Sequence, residues 1–197
     1  MPSLATTGLR RALTLLLLLT ATVIGCAPAQ SSGHRTAKAA PHDSQGDGQK
    51  WTALGDGHMS NGDPSRAAQY YEAGYREGTA ALLPKLLTAC IASRQYALAI
   101  EHAEAAVARD PTNAHLRGLL GALHASMGEL DKARQHFELA ASDRPLDATM
   151  QFTVGVFFRD DAREPGRADS YFRAYLAIAP KGAHAIEAQA SLMKRVE

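Results

Sequence analysis

Eight histidines, two cysteines and a scatter of carboxylates are the residues of this 197-residue chain that could do chemistry. Zinc needs several N, S or O ligands converging on one point. His184 and Glu187 lie one helical turn apart, but the sequence offers no further ligand for them, so a solvated pair is expected. Asp43, Asp47 and Gly48 match part of a calcium loop, yet Gln45 is a poor third ligand and Leu54 stands where the bidentate Glu must be. The loop is rejected. No G-x-S-x-G, H-E-x-x-H, Walker or dinucleotide-binding pattern occurs. No catalytic residue, metal, cofactor or small-molecule substrate is therefore assigned, and a non-enzyme is expected. Four of the other histidines recur at matched places, His58 with His124, and His102 with His136. The second place is shared with Tyr70 and Tyr171. Repetition, and not ligation, explains them.

Cys26 is the residue most clearly set up for modification. Arg10 and Arg11 lead into an apolar run from Ala12 to Ile24, roughly a dozen residues, too short to span a bilayer but of secretory length. The run closes as Val23-Ile24-Gly25-Cys26, which resembles the bacterial lipobox. That resemblance implies a lipoprotein signal peptide over residues 1–25, cleavage before Cys26, and acylation of its sulfur and new amino terminus. Three acyl chains, at about 0.8 kcal/mol per buried methylene, exceed what stable anchoring needs. Ala27 follows the cysteine where Asp would favour inner-membrane retention, so the expected place is the outer membrane, facing the periplasm. Cys90 is then the one free thiol, and no disulfide can form within the chain. It lies in the apolar run Leu86 to Ile91, so it is expected to be buried and structural.

Composition narrows the rest. The chain is 46% hydrophobic and 21% charged with a formal net charge of +1, and loss of Arg10 and Arg11 with the signal would leave it at −1. Neither value gives an electrostatic case for nucleic acid. Residues 26–48, rich in Ser, Gly, Pro, Ala and Gln, read as the lipidated cysteine and a flexible tether with a reach of roughly 25 Å.

What must position any functional side chain is the periodic remainder. Between Ala114 and Asp147, Leu120-Gly121 precedes Ala133 by twelve residues, and Phe137, Ala140 and Pro145 follow. The same order appears as Trp51, Leu54-Gly55, Ala67, Tyr71 and Gly74, and as Val154-Gly155, Ala168, Phe172 and Pro180. A weaker copy keeps Ala99, Ala106 and Pro111 but has Leu87 for the glycine and Ala103 for the ring. The pattern resembles the tetratricopeptide repeat (TPR), in which two antiparallel helices approach where Gly or Ala stands at the crossing and a ring fills the gap beside it. The expected fold is all-α: a TPR solenoid of about four helix-turn-helix repeats over residues 49–182 (about 48–81, 80–113, 114–147 and 148–182), closed by a capping helix over 183–197. Ile186, Leu192 and Met193 are available to pack that helix. One extra residue falls in the turn Arg159 to Pro165, which reads as an irregular exposed loop.

The resemblance implies a right-handed superhelix whose first helices line a concave groove. Projected on this chain, the lining is Thr52, Asp56 and Met59; Thr88 and Ile91; Ala122 and Ala125; and Phe152, Val156 and Arg159. It is small and apolar and lacks the Lys/Asn set with which some TPR proteins grip a terminal carboxylate. An apolar or helical peptide of a protein partner is the expected occupant. Anchor, tether and repeats together resemble type IV pilus pilotins and the TPR lipoproteins of tight-adherence pili. That implies a non-catalytic, membrane-anchored adaptor assisting assembly of a pilus or secretin-type envelope machine. The alternative is a regulator or scaffold subunit of a periplasmic or cell-wall enzyme.

Overall fold

The computed structural model describes residues 44–193, with side chains from Gly48 onward. The signal segment, Cys26, most of the tether and the last four residues lie outside the described residues. Those described contain only helices and turns: α1 (Ser44–Ser60), α2 (Pro64–Arg76), α3 (Leu83–Ala92), α4 (Tyr96–Arg109), α5 (Ala114–Ser126), α6 (Leu130–Asp143), α7 (Ala148–Val156), α8 (Pro165–Ile178) and α9 (Ala185–Met193). A 3₁₀ turn covers Ala80–Leu82 and a π-helical turn Phe157–Asp161. No helix among them is long and apolar enough to cross a membrane. They form two compact units, residues 44–102 and 103–193, divided within α4.

Local chemistry sets the helix ends. Asp63, Asn113 and Asp147 each accept a hydrogen bond from the backbone N–H three residues on, at 3.1, 3.1 and 3.0 Å. This satisfies a donor that the first helical turn leaves unpaired. Pro64, Pro84 and Pro165 stand in first turns, where the missing N–H costs nothing. At three corners an amide bonds back across five residues: Asp63 to His58, Gln95 to Cys90 and Glu129 to His124, at 2.9, 2.8 and 2.9 Å. That closure requires a left-handed residue just before it, supplied by Gly62, Arg94 and Gly128 with φ of 74°, 60° and 78°.

The fourth corner carries the extra residue, and it is not an exposed loop. Glu164 N–H reaches back six residues to the Phe158 carbonyl at 2.7 Å, with Arg163 left-handed at φ 55°. The insertion is wound into the π-helical turn, so Phe157 and Phe158 stay buried and Arg159 to Ala162 are half-buried. Keeping two phenylalanines out of water outweighs the poorer hydrogen bonding of a wider turn.

Each unit is packed by the expected glycine and ring. A Cβ placed on Gly121 would lie 2.8 Å from the Phe137 ring, and one on Gly155 2.8 Å from Phe172; Gly55 is closer still to Tyr71. All three rings are buried. Two boundaries differ from expectation. Helix α1 begins at Ser44, inside the stretch read as tether, and its Gly48 is buried so closely that a Cβ there would lie 2.9 Å from the Thr79 side chain. The C-terminal helix turns Ala185 and Ala188 inward and leaves Ile186 84% and Met193 68% exposed. In the turn that leads into it, a Cβ on Gly182 would crowd the Tyr175 hydroxyl at 2.5 Å.

Candidate functional site

In the unit of residues 44–102, three consecutive helices bring one carboxylate, one phenol and one ammonium together. Asp56 on α1 accepts a hydrogen bond from the Tyr71 hydroxyl of α2 at 2.5 Å. Lys85 Nζ of α3 donates to both Asp56 oxygens at 2.6 Å and stands 5.9 Å over the Tyr71 ring. The Lys85 and Tyr71 hydrogen bonds hold the Asp56 carboxyl below its ordinary range. Burial and the Asp56 contact push the Tyr71 phenol well up. The phenol is thus a fixed donor and the carboxylate a fixed anion. Asp56 and Lys85 remain 48% and 43% exposed, so water screens the pair and its worth lies in recognition more than in stability. Beside them Met59 and Thr88 are half-buried, Thr88 bonding its own helix at the Pro84 carbonyl, 2.8 Å. Thr52 does the same to Gly48, 2.7 Å. Ile91, assigned to the open lining, is 5% exposed and belongs to the core.

The second unit departs further from the expected lining. Ala122 and Val156 are buried and Ala125 half-buried. Phe152 is 3% exposed, because the C-terminal segment covers it: His184 stacks on its ring at 4.1 Å, with Tyr175 and Phe172 at 5.4 and 5.8 Å. Arg159 is occupied too. It donates to Asp160 at 2.8 Å, to Glu187 at 2.9 Å and to Ser191 at 2.7 Å, and lies 5.3 Å over the Phe172 ring. Glu187 and His184 therefore do not make the solvated pair expected of them, since one is held by Arg159 and the other by Phe152. Phe152, Val156 and Arg159 join repeat to cap.

His58 stacks on Tyr70, and His102 meets Tyr75 edge-on at 5.7 Å with Glu72 at 3.5 Å. Burial, with Glu72 adding, pushes the Cys90 thiol up to about 12, so it is an unreactive part of the core. Among the described residues no three His, Cys, Asp or Glu side chains are placed to hold a metal. Sequence reasoning named Asp56 and missed Lys85, its partner. The signal available was a lone basic residue three positions before Thr88 on the same helix.

Residues 91–151 match the family model for the tetratricopeptide repeat. None of the curated proteins matches the chain by sequence. Three crystal structures superpose well. A tetratricopeptide repeat protein from Parabacteroides merdae is 19% identical with a TM-score of 0.65, over 76% of this chain and 60% of its own length. The protein MamA is 19% identical with a TM-score of 0.62, over 77% of this chain and 87% of its own. YrrB, described as a TPR protein with an unusual peptide-binding site, is 20% identical with a TM-score of 0.60, over 76% of each chain. The present chain spans about three fifths of the first of these. At such identities the likeness is one of fold, and the fold is all-α TPR.

Proposed function

We propose that this TPR-fold chain is a non-catalytic adaptor that binds a protein partner through the first helices of its N-terminal hairpins. The observation that carries the reading is the Asp56–Lys85 pair. A half-exposed carboxylate and ammonium on neighbouring first helices, flanked by Met59 and Thr88, can each hydrogen-bond a peptide laid across them. YrrB, of the same fold, is described as having a peptide-binding site. Because Ile91, Ala122, Phe152 and Val156 are buried, the partner contacts a polar spot edged by Met59, not a continuous apolar trough.

The finer reading keeps the chain at the outer membrane, lipid-anchored through Cys26 and facing the periplasm, where it assists assembly of a pilus or secretin-type machine. Replacing Cys26→Ser is expected to abolish palmitate labelling and move the protein out of the membrane fraction; unchanged fractionation would refute the anchor. For the partner, a photo-crosslinking amino acid at Met59 or Thr88 in cells is expected to capture a secretin or pilus component, and Asp56→Ala to weaken that capture. Capture of a cell-wall hydrolase would replace this specialisation with enzyme regulation. Adducts confined to a second copy of the chain would overturn the adaptor reading.

A further inference from the structure

Three helix pairs carry a stacked pair of rings at the same place, one ring from the end of the first helix and one from the second. His58 lies on Tyr70, His124 on His136 and Phe158 on Tyr171, with centroids 5.1, 5.3 and 5.4 Å apart and planes within 12°, 7° and 4° of parallel. The stack is a packing device, since Phe over Tyr performs it without any titratable group near neutrality. Only in the α5/α6 pair are both rings imidazoles.

Their surroundings make a second charge there expensive. His124 is 1% exposed. Its Nδ1 faces the Glu129 carboxylate at 2.8 Å; a carboxylate only accepts, so Nδ1 carries the proton. Nε2 then has no hydrogen-bond partner, with Glu104 of α4 at 3.9 Å. Lys132 already shares Glu129 at 2.9 Å, and Arg117 is paired with Asp143 at 2.7 Å. His136 Nδ1 is buried without a partner. Burial first, then the facing His124, with Arg117 and Lys132 adding, hold His136 below its ordinary 6.5, opposed only by Glu104. In the opened hairpin both rings are free to accept protons.

We propose that the His124–His136 stack makes the α5/α6 hairpin an acid-responsive element, which loosens in mild acid while the Phe158–Tyr171 hairpin does not. The sign follows from proton counting. His136 binds its proton more weakly folded than unfolded, so its share of stability is present above about pH 6.5 and is lost as pH falls from there through its lowered value.

Hydrogen exchange on the full mature chain between pH 7.5 and 5.5, corrected for intrinsic rates, tests this. Within the window, protection of α5 and α6 amides is expected to fall by up to about tenfold per pH unit, while protection of α7 and α8 does not fall, the raised Asp161 between them acting in the opposite direction. His136→Tyr, the residue found at that place in two other repeats, is expected to fold and to abolish the pH response. If it does not fold, His124→Phe, the residue of the fourth repeat, is expected to weaken the response without abolishing it, since His136 stays buried. An equal loss of protection in these variants, or none in the wild type, would overturn the proposal.

Discussion

Gly121→Ala adds one methyl group in the interior of a helix, where the change from glycine ordinarily stabilises by about 0.5–1 kcal/mol. Here the new Cβ would fall 2.8, 2.9 and 3.0 Å from three ring carbons of Phe137. Because Cγ and both Cδ atoms are crowded together, rotating the ring about its axis gives no relief. The ring must translate, and Phe157 stands behind it with its centroid 4.9 Å away. Overpacking of this kind costs about 1–3 kcal/mol, so the net expected loss is on the order of 1–2 kcal/mol, and Gly121→Leu should lose more. For a domain of this size each kcal/mol moves the melting temperature by roughly 2–4 °C. Gly57→Ala is the control, since a Cβ there meets nothing within 4 Å. It should raise the melting temperature by a few degrees. Thermal melts followed by helical circular dichroism decide between the two, and Phe137→Leu in the Gly121→Ala background should be less damaging than the two single changes combined. Equal or greater stability of Gly121→Ala relative to Gly57→Ala would refute the close-crossing argument.

Arg94→Gly relieves a left-handed backbone at φ 60° and should stabilise by about 1 kcal/mol, seen as a higher melting temperature; a lower one would mean that the arginine side chain matters more than its backbone. Burial, then the neighbouring Asp160, pushes Asp161 up from 3.8 to about 6. Its stability is present below pH 3.8 and lost as pH rises through about 6, so Asp161→Asn should gain on the order of 1–3 kcal/mol at pH 7.5 and little at pH 4, as denaturant titrations at the two pH values would show. Arg159→Ala removes the partners of Glu187 and Ser191, and hydrogen exchange should show α9 deprotected while α8 is unchanged.

What the sequence made legible is what depends on spacing alone. A glycine and a ring at fixed separation can meet only if two helices cross between them, so Gly55 with Tyr71, Gly121 with Phe137 and Gly155 with Phe172 were readable, as were the caps at Asp63 and Pro64. The candidate site was less so. Projecting Ile91, Ala122 and Phe152 onto one face says which way they point and nothing of what covers them, and each proves to be buried. The Lys85–Asp56 pair spans 29 residues and joins two helices whose separation no local pattern encodes. The cap was found, but its docking face was misread, since apolar periodicity favours Ile186 and Met193 where close approach favours Ala185 and Ala188.

The single inserted residue of the fourth repeat ties these observations together. A loop at that corner would have left Phe158 without its stack on Tyr171, 5.4 Å away, whereas the π-helical turn keeps the stack and shifts the residue that follows. That residue is Arg159, and from this position its guanidinium spans Asp160, Glu187 and Ser191 while covering the Phe172 ring. The helix it holds buries little apolar surface of its own, two alanines, with His184 capping Phe152 beside them. Two alanines supply only a fraction of what a buried leucine or phenylalanine face would, so charge-assisted hydrogen bonds carry much of the attachment. Such a cap is expected to detach more readily than a repeat unfolds, although detachment would uncover Phe152. Salt should weaken that attachment more than it weakens the glycine and ring crossings, which distinguishes a detachable cap from an extension of the core.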